Sequence, residues 1–549
     1  MSKPERSELR WVLVWAVVIV LLASVPYLYG VSLMPSGYTF LGLTHNIDDG
    51  AVYLSWMRQA ADGHLFMRNL FTNDPQPARQ FNVLYLKMGW FAAIAHLPLI
   101  VVFHLCRVVL GIALILYIWQ FSKLFLDDPN ERKLLVPLVG LSAGIGWLIP
   151  NAAMPTGSVD VWQPEAITFL SIYLNPLFLV GLLLMLGAFY WLELARREGK
   201  ARYSVYAGLS LLVLGNVHTY DVLIVACVWT AYLILDFGFG ISDLKSRVRT
   251  IGLSALAAAI AIPSIAYQFW VYSTDPIFAA RANTEIASPP IWSFLSGYGL
   301  VLIGAITGAV MWLTANRQSP IANLKSKIQN PKCLLLVWAV AGFAIPYIPI
   351  AQQRKLIMGL HIPLCILCAY ALSKLLPKLP GTLGRTVFVA VLVIAAGSNS
   401  QFLARDMGLL ANGDTAPQYA PYLSRSELAA MSYLRKHATA RDSILAPPTF
   451  ALFVPAFTGR QVCYGHWSET PGYAERRSQW RMLAEPGVSA DLWWGIVRAS
   501  GATYYVSEAG FLEPPTELRP HFALCFDDEG VRIYRVHAAI MRNLFGRGP

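Results

Sequence analysis

The chain has 549 residues, 56% of them hydrophobic and 14% charged, whereas about 25% of the residues of an ordinary globular protein are charged. This composition excludes a soluble globular protein and indicates a chain that lies largely in a membrane. The net charge of +11 does not indicate nucleic acid, because Lys and Arg collect in the cytoplasmic loops of membrane proteins. We therefore expect membrane lipids around the chain and no nucleic-acid partner.

The first apolar run, residues 11–33, is long enough to cross a bilayer core of about 30 Å. It lacks the small-residue cleavage site of a secretory signal, so we interpret it as a retained transmembrane helix. Similar runs predict further spans near residues 98–124, 134–150, 167–194, 204–217, 221–238, 250–271, 293–315, 334–350, 357–374 and 386–402. We therefore predict an α-helical polytopic membrane protein with about eleven transmembrane helices.

Clusters of basic residues predict how these helices are oriented. Lys3, Arg6 and Arg10 precede the first span, so we expect the N-terminus in the cytoplasm. The short stretch 82–97 contains Lys87 and is predicted as an interfacial helix. With that choice the other basic clusters all fall on the cytoplasmic side: Arg132 with Lys133, residues 196–202, residues 244–249, Arg317 with Lys325, Lys327 and Lys332, and Lys374 with Lys378 and Arg385. Everything after about residue 403 is then predicted to lie outside.

The tail is polar and mixes helix with strand signals. Residues 424–438 have helical apolar spacing after a serine, and residues 522–536 indicate a β-hairpin that turns on Asp-Glu-Gly. We therefore predict two domains. Residues 1–402 form a transmembrane domain whose first outer loop (34–97) carries interfacial helices, and residues 403–549 form a small extracytoplasmic α/β domain.

Asp48 and Asp49 are adjacent carboxylates in a chain with only 32 acidic residues, and the topology predicts them outside, at the membrane surface. The residues after them carry an apolar stripe typical of a helix that lies in the membrane interface. One alternative is that Asp49 caps this helix. A cap needs a single carboxylate, however, so the pair favours a chemical role for Asp48, Asp49 or both.

Other polar side chains are predicted on the same outer face. Arg354 and Lys355 are cations on the side that Lys and Arg usually avoid, which favours binding of a phosphate; snorkelling to the interface is the alternative. Arg58 is a third candidate for the phosphate. Candidates for contact with substrate are Glu165, His218, Tyr220, Asp221, Arg460, His466 and Glu469, and Asp160 is a further catalytic candidate. The structural alternatives are a hydrogen bond between His218 and Asp221, and ordinary packing for the tail residues.

Carboxylates and cations together on an outer surface favour one reaction. An acceptor hydroxyl or amine attacks a sugar carbon, a carboxylate accepts the proton, and a lipid phosphate leaves toward Arg or Lys. Sugar nucleotides are confined to the cytoplasm, so a donor on the outer side has to be lipid-linked. No metal site is predicted, because Cys365 and Cys368 form a lone CxxC in an apolar stretch; a divalent cation is left open.

Several short motifs carry a resemblance to a known class of protein. They are DVWQPEA at 160–166, Asn175-Pro176, HTYD at 218–221, SPP at 288–290 with GYG at 297–299, QRKLIMGLHIP at 353–363 and TGRQVCYGHWSET at 458–470. Together they resemble uncharacterised bacterial members of the GT-C class of integral-membrane glycosyltransferases. That class includes protein O-mannosyltransferases and the aminoarabinose transferases of lipid A.

The resemblance covers nearly the whole chain and implies the GT-C fold, multi-pass insertion in the bacterial inner membrane, and an enzyme. The implied activity is inverting transfer from a polyprenyl-phosphate sugar to an acceptor glycan, lipid or protein, without a cofactor. Asp48 or Asp49 corresponds to the catalytic carboxylate of the class. Two other functions stay open. One is a transporter or flippase, whose polar groups are expected at the membrane midplane, and the other is a polymerase or ligase of surface polysaccharide.

Overall fold

A computed structural model describes residues 3–238, 243–314, 331–412, 421–485, 487–508 and 512–537. Of the cations predicted in cytoplasmic loops, Arg317, Lys325 and Lys327 lie outside the described residues. Within them the chain is mostly α-helical, and the strands form a two-stranded and a five-stranded sheet.

The elements are named here in chain order. The helices are α1 (Lys3–Leu22), α2 (Val25–Ser32), α3 (Ile47–Ala61), α4 (Val83–Ala95), α5 (Leu99–Ser122), α6 (Pro129–Leu141), α7 (Thr168–Leu174), α8 (Pro176–Glu198), α9 (Ala201–Val217), α10 (Tyr220–Gly238), α11 (Leu244–Thr274), α12 (Pro276–Ala282), α13 (Ile291–Thr314), α14 (Lys332–Ala344), α15 (His361–Leu375), α16 (Leu383–Ala395), α17 (Gly397–Asn412), α18 (Arg425–His437), α19 (Pro448–Thr458), α20 (Tyr473–Leu483) and α21 (Ala490–Ala499). The strands are β1 (Tyr38–Phe40), β2 (Tyr422–Ser424), β3 (Ser443–Leu445), β4 (Gln461–Val462), β5 (Tyr504–Glu508), β6 (Phe522–Asp528) and β7 (Val531–Val536).

Among the described residues, seven helical segments are long and apolar enough to cross a membrane, and the bent pair α16–α17 would make an eighth. The spans predicted at 134–150, 204–217 and 334–350 coincide with α6, α9 and α14, which have 13, 17 and 13 residues. Such helices are only about 20–26 Å long, less than a bilayer core of about 30 Å. The prediction of a helical multi-pass membrane protein is therefore confirmed, whereas the count of eleven spans is not.

The described chain divides into two compact units, each built from segments that are distant in sequence. Unit 1 comprises Met1–Val25, Phe103–Trp270 and Glu285–Arg405, and unit 2 comprises Pro26–Val102, Val271–Thr284 and Asp406–Pro549. The two domains predicted at 1–402 and 403–549 stay a prediction. The first outer loop, predicted as part of the transmembrane domain, belongs to unit 2 together with the tail.

Small residues let two long helices of unit 1 approach closely. Gly304 and Gly308 of α13 are four residues apart, so they lie on the same face of the helix. A Cβ at Gly308 would collide with the carbonyl oxygen of Leu367, and one at Gly304 would collide with the Cys368 thiol, both in α15. This is the small-xxx-small contact by which helices pack in membranes without a hydrophobic driving force.

The tail part of unit 2 is built around the five-stranded sheet, whose order is β4-β3-β5-β7-β6. Strands β4, β3 and β5 are parallel, whereas β7 pairs antiparallel with both β5 and β6. The β6–β7 pair is the hairpin predicted at 522–536. Large aromatic side chains, among them Trp493, Tyr505 and Phe522, form a buried cluster beside it.

Helix α18 begins as its sequence predicts. The Ser424 side chain accepts a hydrogen bond from the Glu427 amide, and the Glu427 carboxylate accepts one from the Ser424 amide, which is a complete capping box. Ser424 also ends β2, which pairs antiparallel with β1 of the first outer loop. Within unit 2, backbone hydrogen bonds therefore join residues 38–40 to residues 422–424, which are distant in sequence.

Candidate functional site

Asp48 and Asp49 lie in the first turn of α3. The N-cap of this helix is Asn46, whose backbone is left-handed (φ 46°) and whose side chain makes no capping hydrogen bond. Asp49 is thus not the capping residue that the alternative interpretation requires. Both carboxylates still face the positive end of the helix dipole, which stabilises negative charge there.

Two consecutive tail residues contact the carboxylates. The indole Nε1 of Trp467 donates a hydrogen bond of 2.9 Å to Asp48 Oδ2. The His466 Nε2 atom lies 3.6 Å from Asp48 Oδ2 and 3.7 Å from Asp49 Oδ1. The imidazole is fully buried, whereas the side chains of Asp48 and Asp49 are 21% and 48% exposed. Both carboxylates are therefore accessible to a substrate, while the ring behind them is not.

The proton of His466 is fixed by the loop that follows it. His466 Nδ1 accepts hydrogen bonds from the backbone amides of Ser468 (3.1 Å) and Glu469 (3.3 Å). Since Nδ1 is an acceptor, the neutral ring carries its proton on Nε2. The imidazolium ion carries one there as well. In either form an N–H group faces the two carboxylates.

Burial and the charges within this cluster shift the pKa values of Asp48 and His466. Burial and the neighbouring Asp49 raise the pKa of Asp48, against the opposing effects of His466 and the Trp467 hydrogen bond. Burial acts against a charge on His466, but the carboxylates, Asp49 foremost, raise the pKa of the imidazole. A carboxylate with a raised pKa is a stronger base than an ordinary aspartate, which suits proton abstraction.

A buried ion pair supports the loop that carries His466. The Arg281 Nε atom donates a hydrogen bond of 2.7 Å to Glu469 Oε1, and the guanidinium lies 5.1 Å from the centroid of the Trp56 ring. The Asn69 side-chain amide donates to the Glu469 backbone carbonyl (2.7 Å) and to its carboxylate (3.2 Å). Glu469, predicted to contact substrate, therefore has both carboxylate oxygens hydrogen-bonded within unit 2 and anchors the loop.

Unit 1 contains the second group of predicted residues. Arg354 lies in a 3₁₀ turn (Gln353–Ile357), with its guanidinium 5.1 Å from the centroid of the Trp162 ring. Among the residues that the structure describes, its Nε atom has no hydrogen-bond acceptor. The Lys355 Nζ atom lies 5.3 Å from the centroid of the Tyr220 ring. Both cations therefore contact aromatic rings, a setting in which a cation remains able to bind an anion.

Of four further candidates in unit 1, His218, Asp221 and Asp160 are buried and Glu165 is partly buried. His218 Nδ1 and Asp221 Oδ1 are 3.0 Å apart, but neither atom has a hydrogen-bond partner among the described residues, so the structural alternative of a hydrogen bond between them is not confirmed. Asp160 is fully buried and accepts a hydrogen bond of 3.1 Å from the Gly146 amide. Burial raises the pKa of Asp160, despite the hydrogen bonds that it accepts. Glu165 lies in the 3₁₀ turn Pro164–Ala166.

Two predicted arginines of unit 2 are not placed with the acidic pair. Arg58 follows Asp48 by ten residues on the same helix, a distance of about 15 Å, and its Nη1 lies 3.5 Å from Asp62 Oδ1. Arg460 donates to the carbonyl oxygens of Ala438 (2.7 Å) and Arg435 (3.2 Å), at the C-terminal end of α18. The contacts of Arg460 are typical of a side chain that binds the last carbonyl groups of a helix, and less of a residue that binds substrate.

Sequence reasoning missed two residues of the cluster. Trp467 lies within the motif at 458–470, and Arg281 is the one cation in the sequence from 273 to 292. The available signal for Arg281 was that a lone cation in a stretch predicted to lie outside calls for a reason. In the described parts of the chain no three His, Cys, Asp or Glu side chains are arranged to hold a metal ion. The absence of a metal requirement stays a prediction.

Replacement of His466 tests the role of its Nε2–H group. His466→Asn keeps an acceptor for the Ser468 and Glu469 amides but removes the donor that faces the carboxylates. Since His466 lowers the pKa of Asp48, the Asn variant should shift the acid limb of the kcat/KM profile to higher pH. His466→Gln, which restores a donor in that direction, should shift it less. Identical pH profiles for both variants and the wild type would show that His466 does not act on Asp48.

No protein-family model matches the sequence, and no curated protein matches it either. Solved structures do match. An oligosaccharyltransferase from Archaeoglobus fulgidus, tethered with an acceptor peptide, has a TM-score of 0.54 at 12% identity, over 95% of this chain and 74% of its own. ArnT from Cupriavidus metallidurans, bound to undecaprenyl phosphate, has a TM-score of 0.52 at 14% identity, over 96% of this chain and 98% of its own.

The arabinofuranosyltransferase AftD from Mycobacteria has a TM-score of 0.54 at 16% identity. The match covers 96% of this chain but 42% of AftD, so the chain spans less than half the length of that protein. At such low identities the similarity concerns the fold alone. All three proteins are GT-C glycosyltransferases, and the predicted GT-C fold is confirmed: the chain has the fold of the GT-C glycosyltransferases.

Proposed function

We propose that the protein is a glycosyltransferase that moves a sugar from a polyprenyl-phosphate donor to an acceptor on the outer face of the membrane. The observation that carries the proposal is the pair Asp48–Asp49, held against the buried His466 and the exposed Trp467. A carboxylate of raised pKa that is open on one side is the group that an incoming hydroxyl or amine requires. The fold supports the proposal, because ArnT with that fold is bound to undecaprenyl phosphate.

Asp48 is the proposed general base. Trp467 and His466 both approach its Oδ2 atom, which leaves Oδ1 for the acceptor. The acceptor oxygen or nitrogen attacks the anomeric carbon, its proton passes to Asp48, and the bond from that carbon to the donor phosphate breaks. One displacement of this kind inverts the anomeric centre. Asp49 assists, because its charge raises the pKa of Asp48.

Arg354 is the proposed ligand of the donor phosphate, with Lys355 assisting. The Arg354 guanidinium is stacked on Trp162 and keeps N–H groups for a bidentate contact with an anion. Arg281 is a weaker candidate, because Glu469 already neutralises its charge. Arg58 is weaker for the same reason, through Asp62.

The experiment that tests the function uses the purified full chain in detergent with a panel of radiolabelled polyprenyl-phosphate sugars and a mixture of acceptors, namely methyl glycosides, membrane lipids and peptides. Release of polyprenyl phosphate from one of them, abolished in the double variant Asp48→Asn/Asp49→Asn, is the expected result. The assay is repeated with EDTA, which decides the open question of a divalent cation. A flippase would move the lipid across liposomes without breaking it, and that outcome would replace the proposal. A polysaccharide polymerase or ligase shares the chemistry and differs in the acceptor alone.

The outer location of the tail is a separate prediction, which rests on the distribution of Lys and Arg. Cysteine introduced at the exposed Ala440 should react with a membrane-impermeant maleimide in intact cells. Cysteine at Lys200, whose side chain is 52% exposed, should react only after permeabilisation. Labelling of the wild-type chain, through its own cysteines, gives the background signal. Labelling of both positions in intact cells would contradict the predicted topology.

A further inference from the structure

An open hollow of about 510 Å³ lies in unit 2 beside the carboxylate cluster. One wall is formed by Ile277 and Ala280 of α12 and by Thr284, two residues after the end of that helix. The opposite wall is the continuous segment from Trp467 to Glu475. Trp467 links the hollow to the carboxylates, because it is one of the lining residues and its Nε1 donates to Asp48. Its volume is within the range of small-molecule sites, about 300–1,000 Å³.

The hollow has a distinctive chemical lining. Trp467 and Tyr473 provide aromatic rings, Ser468 and Thr284 provide hydroxyl groups, and the exposed Glu475 provides a carboxylate. Neither Lys nor Arg is among the lining residues, whereas Glu469 and Glu475 are. Such a lining disfavours a ligand that carries phosphate, sulfate or carboxylate groups. The donor phosphate is thus not the group that this hollow fits.

Trp467 is 45% exposed although two contacts fix its position. Its Nε1 is held by Asp48, and its ring lies 5.9 Å from the His466 ring, centroid to centroid, at an interplanar angle of 25°. The indole therefore presents a rigid apolar face to the hollow at no cost in side-chain freedom on binding. The C–H face of a sugar ring packs on such a surface, while its hydroxyl groups bind carboxylates and hydroxyls.

We infer that this hollow is the acceptor subsite and that the acceptor is a carbohydrate without negative charge, stacked on Trp467. The inference rests on the proposed function, since it assigns the second substrate of the same reaction. Because the indole that would stack the sugar also donates to Asp48, the inference assigns the hydroxyl that loses its proton to the end of the sugar nearest Asp48. A peptide acceptor fits the lining less well, because an extended chain requires backbone partners along its length.

The test measures binding without any donor. Saturation-transfer NMR with neutral methyl glycosides and disaccharides should show contact with the full chain through the ring C–H protons. Trp467→Ala should weaken this binding roughly tenfold or more, because it removes both the stacking contact and the apolar area that the indole contributes. Ala280→Trp, which fills the hollow from its opposite wall, should abolish it. Trp90→Ala is the matched control, because Trp90 is 44% exposed in the same unit, and it should bind like the wild type.

The outcomes separate the inference from the proposed function. Donor turnover without any sugar binding would overturn the inference and leave the function intact, as would binding of a Ser- or Asn-containing peptide in place of the sugars. Unchanged sugar binding in both Trp467→Ala and Ala280→Trp would also overturn it. Sugar binding with no turnover of any polyprenyl-phosphate sugar would overturn the proposed function itself.

Discussion

Asp48→Asn is expected to lower turnover by roughly 10²–10⁴-fold, the contribution of a positioned general base. Asn retains the shape of the side chain and a carbonyl oxygen that accepts the Trp467 hydrogen bond, but it cannot accept a proton. Asp49→Asn should cause a smaller loss, about tenfold, because it removes only a charge that makes Asp48 more basic. The same substitution should shift the acid limb of the kcat/KM profile to lower pH, since Asp49 raises the pKa of Asp48.

The thermal stability of the Asp48→Asn variant is the control for this prediction. Since the pKa of Asp48 is raised in the folded state, its favourable contribution is complete below the ordinary pKa of Asp and is lost as pH rises through the raised value. At neutral pH the ionised carboxylate therefore lowers the free energy of unfolding. Asp48→Asn should unfold at the wild-type temperature or above it, in a thermal scan of the detergent-solubilised protein. An inactive variant that unfolds well below the wild type would mean that Asp48 is structural.

The elements that sequence reasoning predicted correctly depend on local patterns. The helix predicted at 424–438 after a serine and the hairpin predicted at 522–536 both depend on short stretches of chain, where spacing and turn chemistry decide the structure. The acidic pair was found in the same way, as two adjacent charges after an apolar run. The count of eleven spans is not confirmed, because hydropathy identifies apolar stretches but not where α6 or α14 ends.

The cluster around the acidic pair could not be predicted as a cluster. Trp467 and Asp48 are 419 positions apart, and no periodicity or motif relates such distant residues. The orientation of His466 depends on two amides of its own loop, and that loop is fixed in turn by Glu469 and Arg281. Arg58 illustrates the reverse case. It is near Asp48 in sequence, but ten residues of helix carry it about 15 Å away.

Arg354→Ala is expected to lower kcat/KM for the donor roughly 10- to 100-fold, the effect of losing hydrogen bonds to a charged group. The Arg354 guanidinium can still donate hydrogen bonds to a phosphate, because it stacks on Trp162 and its Nε has no acceptor within the described chain. Arg354→Lys keeps the charge but loses the planar pair of donors, so it should restore binding only in part. Direct titration with a fluorescent polyprenyl phosphate measures the same loss without turnover.

Arg405→Ala is the matched control for this arginine. Arg405 also belongs to unit 1 and also stacks on an aromatic ring, 4.2 Å from the centroid of Phe402, but it donates to the Val161 carbonyl oxygen at 2.9 Å. Loss of its charge should leave donor affinity near the wild-type value if the phosphate binds Arg354 specifically. Equal losses in the two variants would indicate a general effect of positive charge. Wild-type donor affinity in Arg354→Ala would assign that residue to snorkelling at the membrane surface, because an arginine that only snorkels makes no contact with the donor.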